Sequence, residues 1–174
     1  IKESLKLILK SPSDFTKFNK IILRKNKSIR RYIKKAGTIL PMLNNPVDIF
    51  HIQWAKTVQI YPELYELLKS KTAVSLRGAH INYSPINDPE LGEAYRKYFP
   101  VTDGFHAVSE AIGKEAMKYG AEKNKITVVH SSVKDELLNM NSVSYKSNNS
   151  FEILSIGRHH WKKGYHYALD AMKI

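Results

Sequence analysis

The 174-residue chain contains no cysteine. That excludes a disulfide framework, cysteine-bearing zinc sites and thiol nucleophiles. It also points to a reduced compartment, in which the sequons at Asn26, Asn82 and Asn148 are chance matches. Long apolar runs are missing too, and no cationic segment leads into an apolar stretch and a cleavage site. These residues therefore supply neither a membrane-spanning helix nor a secretory signal. The expected location is the cytoplasm, with the inner face of the cytoplasmic membrane as a possible resting surface. Internal repeats and low-complexity tracts are absent as well. Acid is scarce, with 16 Asp and Glu against 28 Lys and Arg, for a net charge of +12.

That charge is unevenly spread. Residues 1–36 hold twelve Lys and Arg against only Glu3 and Asp14, so ten of the twelve net positive charges fall there and two on all the rest. Clustered cations attract anionic lipid head groups or nucleic acid through summed charge alone, and the alternative is a solvated helix face. Within this segment Ser11-Pro12 reads as a helix cap followed by proline at the first helical position. Phe15, Phe18, Ile22, Ile29 and Ile33 then recur at helical spacing until Gly37. One basic amphipathic helix is the expectation.

After Pro41 and Pro46 the texture changes. Short runs rich in Val and Ile at 47–54, 72–76, 104–108, 126–129 and 151–156 read as strands buried on both faces. Between them, helical patterns occupy Pro62–Lys69, Pro89–Tyr98 and Ser109–Tyr119, with Ser109 as cap and Gly120 as stop. Repeated βαβ units predict an α/β fold, a doubly wound and mostly parallel Rossmann-like sheet with helices on both faces. The first domain is expected over residues 1–140 and a polar linker over 141–150, with residues 151–174 as the first βα unit of a second domain. A strand and a helix cannot bury their own faces, and doubly wound sheets seldom open on a long helix. The chain is therefore expected to be truncated at both ends.

The string Ser155-Ile156-Gly157-Arg158-His159-His160-Trp161-Lys162-Lys163-Gly164 predicts a strand, a short loop and a helix start. Gly157 and Gly164 allow close backbone approach, while Arg158 and Lys163 supply a forked and a point cation for a diphosphate. The alternative is an ordinary strand-to-helix loop with surface cations. The string resembles the donor-site signature of retaining glycosyltransferases of family 4, in which Gly-Arg after a strand is followed five residues later by Lys-Gly. Four further segments fall into the same family's order. They are Asp48–Gln53, with its histidine; Val74–His80; Gly104–Glu110, ending in Val-Ser-Glu; and Lys125–His130. The Arg77-Gly78 pair is similar to the branch that builds exopolysaccharides such as colanic acid. Ser131-Ser132 departs from the family's usual Asn-Gly, which puts the local backbone in question because glycine permits positive φ and serine resists it.

The resemblance implies a GT-B architecture of two Rossmann-like domains facing a cleft. It implies a reaction in which a sugar passes from a nucleotide sugar to a glycan or lipid-linked acceptor with retention of configuration. By the same resemblance Gly157, Arg158, Lys163 and Gly164 bind the donor diphosphate. His51, Gln53, Arg77, Gly78, Ser109 and Glu110 line the acceptor side, with Arg77, His80 and Glu110 as cleft candidates for a catalytic part. The family's Gly-rich loop and Glu-x7-Glu motif have no counterpart in these residues. No cofactor is expected beyond the nucleotide-sugar substrate. His51, His80, His106 and His130 lack metal-ligand spacing and read as structural or cleft-lining, and no metal is expected. Trp161 lies inside the anion loop, where it can cover a bound ligand. A rival class, a basic α/β module holding nucleic acid through residues 1–36, lacks an aromatic-rich strand signature, and no nucleic acid is expected as a partner.

Overall fold

A computed structural model of the chain describes residues 2–25, 28–138 and 152–173. It divides into two compact units, Ile1–Ser132 and Val133–Ile174. The expected linker at 141–150 lies outside the described residues.

The first unit opens with three helices in place of the single expected one: α1 (Lys2–Lys10), α2 (Pro12–Lys25) and α3 (Ile29–Asn44). Pro12 does begin α2, but the Ser11 hydroxyl donates to Asp14 Oδ2 at 2.8 Å rather than capping a backbone amide. One unbroken rod would point its apolar stripe in a single direction. As separate helices, α2 and α3 bring Phe18 and Ile22 into one core with Ile39 and Leu40, Leu7 of α1, and Leu64 and Leu67 further on. Ile29 and Ile33 stay outside it, 72% and 63% exposed. Gly37 does not stop the helix. The buried Ile39 and Leu40 lie just beyond it, and burying each stabilises by about 1.5–3 kcal/mol, more than the roughly 1 kcal/mol that a mid-helix glycine costs.

Next come β1 (Ile49–Ile52), the one-turn helices α4 (Thr57–Ile60) and α5 (Leu64–Leu67), and β2 (Lys71–Leu76). The helix expected over Pro62–Lys69 is thus shortened to the single turn α5, and α4 before it was not expected. After β2 follow α6 (Ala79–Asn82), α7 (Ser84–Asn87) and α8 (Pro89–Tyr98), then β3 (Gly104–Ala107), α9 (Glu110–Met117) and β4 (Ile126–Val128). The single turns α6 and α7 are too short to show a period and were not foreseen. The Asp88 side chain caps α8 by accepting from Leu91 N–H, and Ser109 caps α9 by accepting from Ile112 N–H at 3.3 Å. The four strands form one parallel sheet in the order β1-β2-β3-β4.

The fold is therefore α/β with a parallel sheet, compatible with a Rossmann-like arrangement. Sequential order contains no reversal, so among the described strands double winding is absent. With right-handed crossovers every connection then lies over the same face. Val58 of α4, Ile81 of α6, Leu91 and Tyr95 of α8 and Ile112 of α9 all join one cluster with Ile52, Val74, Leu76, Phe105 and Ala107. Phe50 packs against both this cluster and the helical one. Strand parity puts Ile49, His51, Ala73, Ser75, His106 and Thr127 on the other face, and none of them belongs to either cluster. Burial on both faces and helices on both faces are thereby corrected: the described elements cover one.

In the second unit the described residues contain α10 (Asp135–Leu138), a 3₁₀ turn over Trp161–Lys163 and α11 (Tyr165–Ala171). The expected helix after Gly164 is present. The expected strand is not found among the described residues, where 152–156 have no strand partner and Ile156 is 89% exposed. A parallel strand exists only beside a neighbour, and none is described in this unit.

Candidate functional site

Parallel α/β sheets bind ligands at the carboxyl edge of their strands, where the loops carry the variable chemistry. Four of the family-like segments end at that edge. His51 is the third residue of β1, and Gln53 follows the strand. Arg77 and Gly78 follow β2; Ser109 and Glu110 follow β3; His130 follows β4. A concavity of about 620 Å³ lies at the opposite edge among residues such as Asp48, Ser70 and Lys71, where Lys71 is paired with Asp103 at 2.9 Å.

On the uncovered face the register aligns His51 with Ala73, and Ser75 with His106. The side chains join across the strands. His51 Nε2 lies 2.9 Å from Ser75 Oγ, Ser75 Oγ lies 3.2 Å from His106 Nδ1, and His106 Nε2 lies 3.2 Å from the Val129 carbonyl. At the outer end Gln53 Nε2 sits 3.1 Å from His51 Nδ1. Ser75, at 1% exposure, is the buried middle of this row, while His51 and Gln53 are exposed. Beside it, His130 Nδ1 donates to the Val108 carbonyl at 3.2 Å.

The other expected residues sit elsewhere. Gly78 takes φ +22°, ψ −111°, a conformation unfavourable to side chains, and turns the exit of β2 into α6. His80, in α6, meets Trp54 edge to face with ring centres 4.7 Å apart, and the Tyr95 hydroxyl donates to its carbonyl. Its Nδ1 is buried without a hydrogen-bond partner. Burial, with a smaller push from Lys56, holds this imidazole below its ordinary value and keeps it neutral. Arg77 is exposed at the strand exit. Glu110 is exposed and lines a cavity of about 340 Å³ with Lys114, Met117, Lys123, Ile126 and Val128, on the β4 side. The structure thus brings His51 and Gln53 together and leaves His80 and Glu110 at separate places.

Ser75 and His106 complete the row; His106 was read from sequence only as structural or cleft-lining, and Ser75 escaped selection. Their signal is one polar residue inside each apolar strand, IFHI, AVSL and GFHA, but aligning the three requires the strand register. No group of three or more His, Asp or Glu side chains among the described residues is placed to hold a metal ion.

In the second unit Gly157 is pressed against the Tyr165 hydroxyl, so that a Cβ there would collide with it, and the Lys163 stem lies alongside. Gly164 is left-handed, φ +66°, and starts α11 directly after the Trp161–Lys163 turn. Arg158 and Lys163 are both exposed. Ser131 and Ser132 keep negative φ, so the missing Asn-Gly forces no positive-φ strain there. Comparison of the chain with known protein families, curated proteins and solved structures finds no match to any of them.

Proposed function

We propose that the chain serves glycosyl transfer of the retaining, family 4 type in polysaccharide biosynthesis, within an enzyme of two Rossmann-like domains. It uses a nucleotide sugar as donor and a glycan or lipid-linked molecule as acceptor, in the cytoplasm at an anionic membrane surface. The observation that carries this reading is the convergence of four motif segments on the carboxyl edge of one parallel sheet. The Gly157–Gly164 loop supports it, with glycines at its two tight points and cations beside them. In this reading Arg158 grips the donor diphosphate with a planar fork and Lys163 adds a point charge. Both stabilise the leaving group as negative charge builds on it.

The membrane part of the proposal concerns α1 and α3. A groove of about 550 Å³ runs between them, lined by residues that include Lys2, Leu5, Ile33 and Leu40. Leu5 and Ile33 are exposed there, and Lys6, Arg30, Arg31 and Lys34 are exposed on the same two helices. Apolar side chains flanked by cations suit the boundary between acyl chains and anionic head groups.

The test is calorimetric binding of uridine, guanosine and adenosine diphosphates and their glucose esters to the 174-residue chain. One nucleotide series is expected to bind. Arg158→Ala should weaken it about tenfold to a hundredfold, as for loss of a charge-assisted contact. Lys163→Ala should cost less, and Lys162→Ala, outside the family pattern, little. Equal losses at Lys162 and Lys163, or no binding by any diphosphate, would overturn the donor assignment. Retention on immobilised oligonucleotide at physiological salt, with no diphosphate bound, would favour the nucleic-acid module instead.

A further inference from the structure

The row from Gln53 to Val129 has only one consistent direction. A carbonyl oxygen can only accept, so His106 Nε2, 3.2 Å from the Val129 carbonyl, carries a hydrogen. In the neutral imidazole His106 Nδ1 is then an acceptor, and the Ser75 hydroxyl, 3.2 Å away, donates to it. Having given its single hydrogen, Ser75 Oγ accepts from His51 Nε2 at 2.9 Å. His51 Nδ1 is left as an acceptor, which the Gln53 amide satisfies from 3.1 Å. Each step follows from the one before, and the outermost group is the only member that solvent or a ligand can replace.

From this geometry we infer that Ser75 is a positioning residue. It locks His51 and His106 as Nε2–H tautomers, so that His51 Nδ1 at the carboxyl edge of the sheet becomes a site for a ligand hydroxyl.

Three features support a built site rather than incidental surface polarity. The middle of the row is buried while its Gln53 end is exposed. Its three central members, His51, Ser75 and His106, come from three adjacent strands, so their spacing is set by the rigid sheet rather than by loops. The row also lies on the face that the helices leave uncovered. A hydroxyl can displace Gln53 by donating to Nδ1. A sulfate or carboxylate brings only acceptors and would face a lone pair. Identifying the hydroxyl as one belonging to a sugar acceptor rests on the glycosyl-transfer reading, whereas the tautomers rest on hydrogen bonding alone.

The test uses the full chain labelled with ¹⁵N-histidine, at about pH 8.5 where an ordinary imidazole is neutral. Long-range ¹H–¹⁵N spectra are expected to show His51 and His106 both as Nε2–H. An Nδ1–H tautomer at either residue in the unmodified chain would overturn the lock, and this arm needs no variant to fold. Ser75→Ala should release at least one histidine into a tautomer mixture, and Ser75→Thr, which keeps the hydroxyl, should restore the pattern. Spectra unchanged in Ser75→Ala would remove Ser75 from the role. In the third arm maltose and sodium sulfate are titrated separately. Maltose should shift the His51 Nδ1 resonance and sulfate should not. A shift with sulfate alone, or with neither, would overturn the hydroxyl site. None of these arms involves a nucleotide, so their failure is distinct from failure of donor binding.

Discussion

Gly120 and Gly37 meet opposite constraints in the first unit. Gly120 has φ +91°, and a Cβ there would lie 2.9 Å from Pro100 Cγ. Left-handed backbone and steric contact add, so Gly120→Ala should destabilise by about 2 kcal/mol or more. Gly37 lies inside α3, and a Cβ there would meet nothing within 4 Å. Gly37→Ala should therefore stabilise by about 0.5–1 kcal/mol through helix propensity. Urea unfolding of the two variants checks both signs. His80 gives a pH dependence. Burial lowers its folded value below the ordinary 6.5, so the unfolded chain binds the proton more readily. Stability should hold above about pH 6.5 and fall as pH drops through that value. Replacing His80 with Gln should flatten the slope measured between pH 7.5 and 5.5, and an unchanged slope would remove His80 as its source. Asp103 acts in a lower window. The Thr72 amide and then Lys71 hold its carboxyl below 3.8, so its contribution is present above that value and is lost on further acidification.

The basic segment divides its cations between two tasks once α1, α2 and α3 are packed. Lys35 is held by Glu63 at 2.9 Å, with side chains only 16% and 4% exposed, and sits over the Tyr61 ring. Lys25 pairs with Glu66 in a more open setting. Glu63→Ala strands a half-buried ammonium and should cost about 3 kcal/mol. Glu66→Ala, which breaks an exposed pair, should cost under about 1 kcal/mol. For vesicles containing anionic lipid, replacing Arg30, Arg31 and Lys34 with Gln should weaken binding by about 1 kcal/mol per charge without changing the melting temperature. Replacing Lys35 should lower the melting temperature instead. Equal binding to neutral vesicles would return these helices to solvent. Sequence counted all twelve cations alike because charge is additive in composition, whereas the partner of each is fixed by which helix lies across from it.

Every residue of the two buried clusters lies before Ser132, so the first unit holds its own core. A chain ending at Ser132 should melt within a few degrees of the full chain. Hydrogen exchange should find strong protection in β2 and β3, and immediate exchange across residues 152–156, which are exposed and outside any ladder. A large loss of melting temperature on truncation would contradict a self-sufficient first unit. The uncovered face of the sheet belongs at this level as well. Parallel sheets are normally covered on both sides, and here one side carries His51, Ser75 and His106 in place of an apolar layer.

Local chemistry was enough to read the four strands of the sheet, the α8 helix, the α9 helix with its Ser109 cap, and Pro12 as a helix start. Each depends on residues a few positions apart, whose propensities and capping atoms act within one turn or one pleat. The same was true of Gly164 before α11. The break in the basic segment, the continuation of α3 through Gly37 and the sequential strand order depended on partners distant in the chain, because burial is shared between elements. Ser75 shows the difference most directly. In sequence it is one small polar residue in AVSL, and it becomes the centre of a directed row only when β1 and β3 align beside it. Hydrogen bonds across a sheet are set by register, and register is settled by the apolar face of the whole sheet packing against its helices.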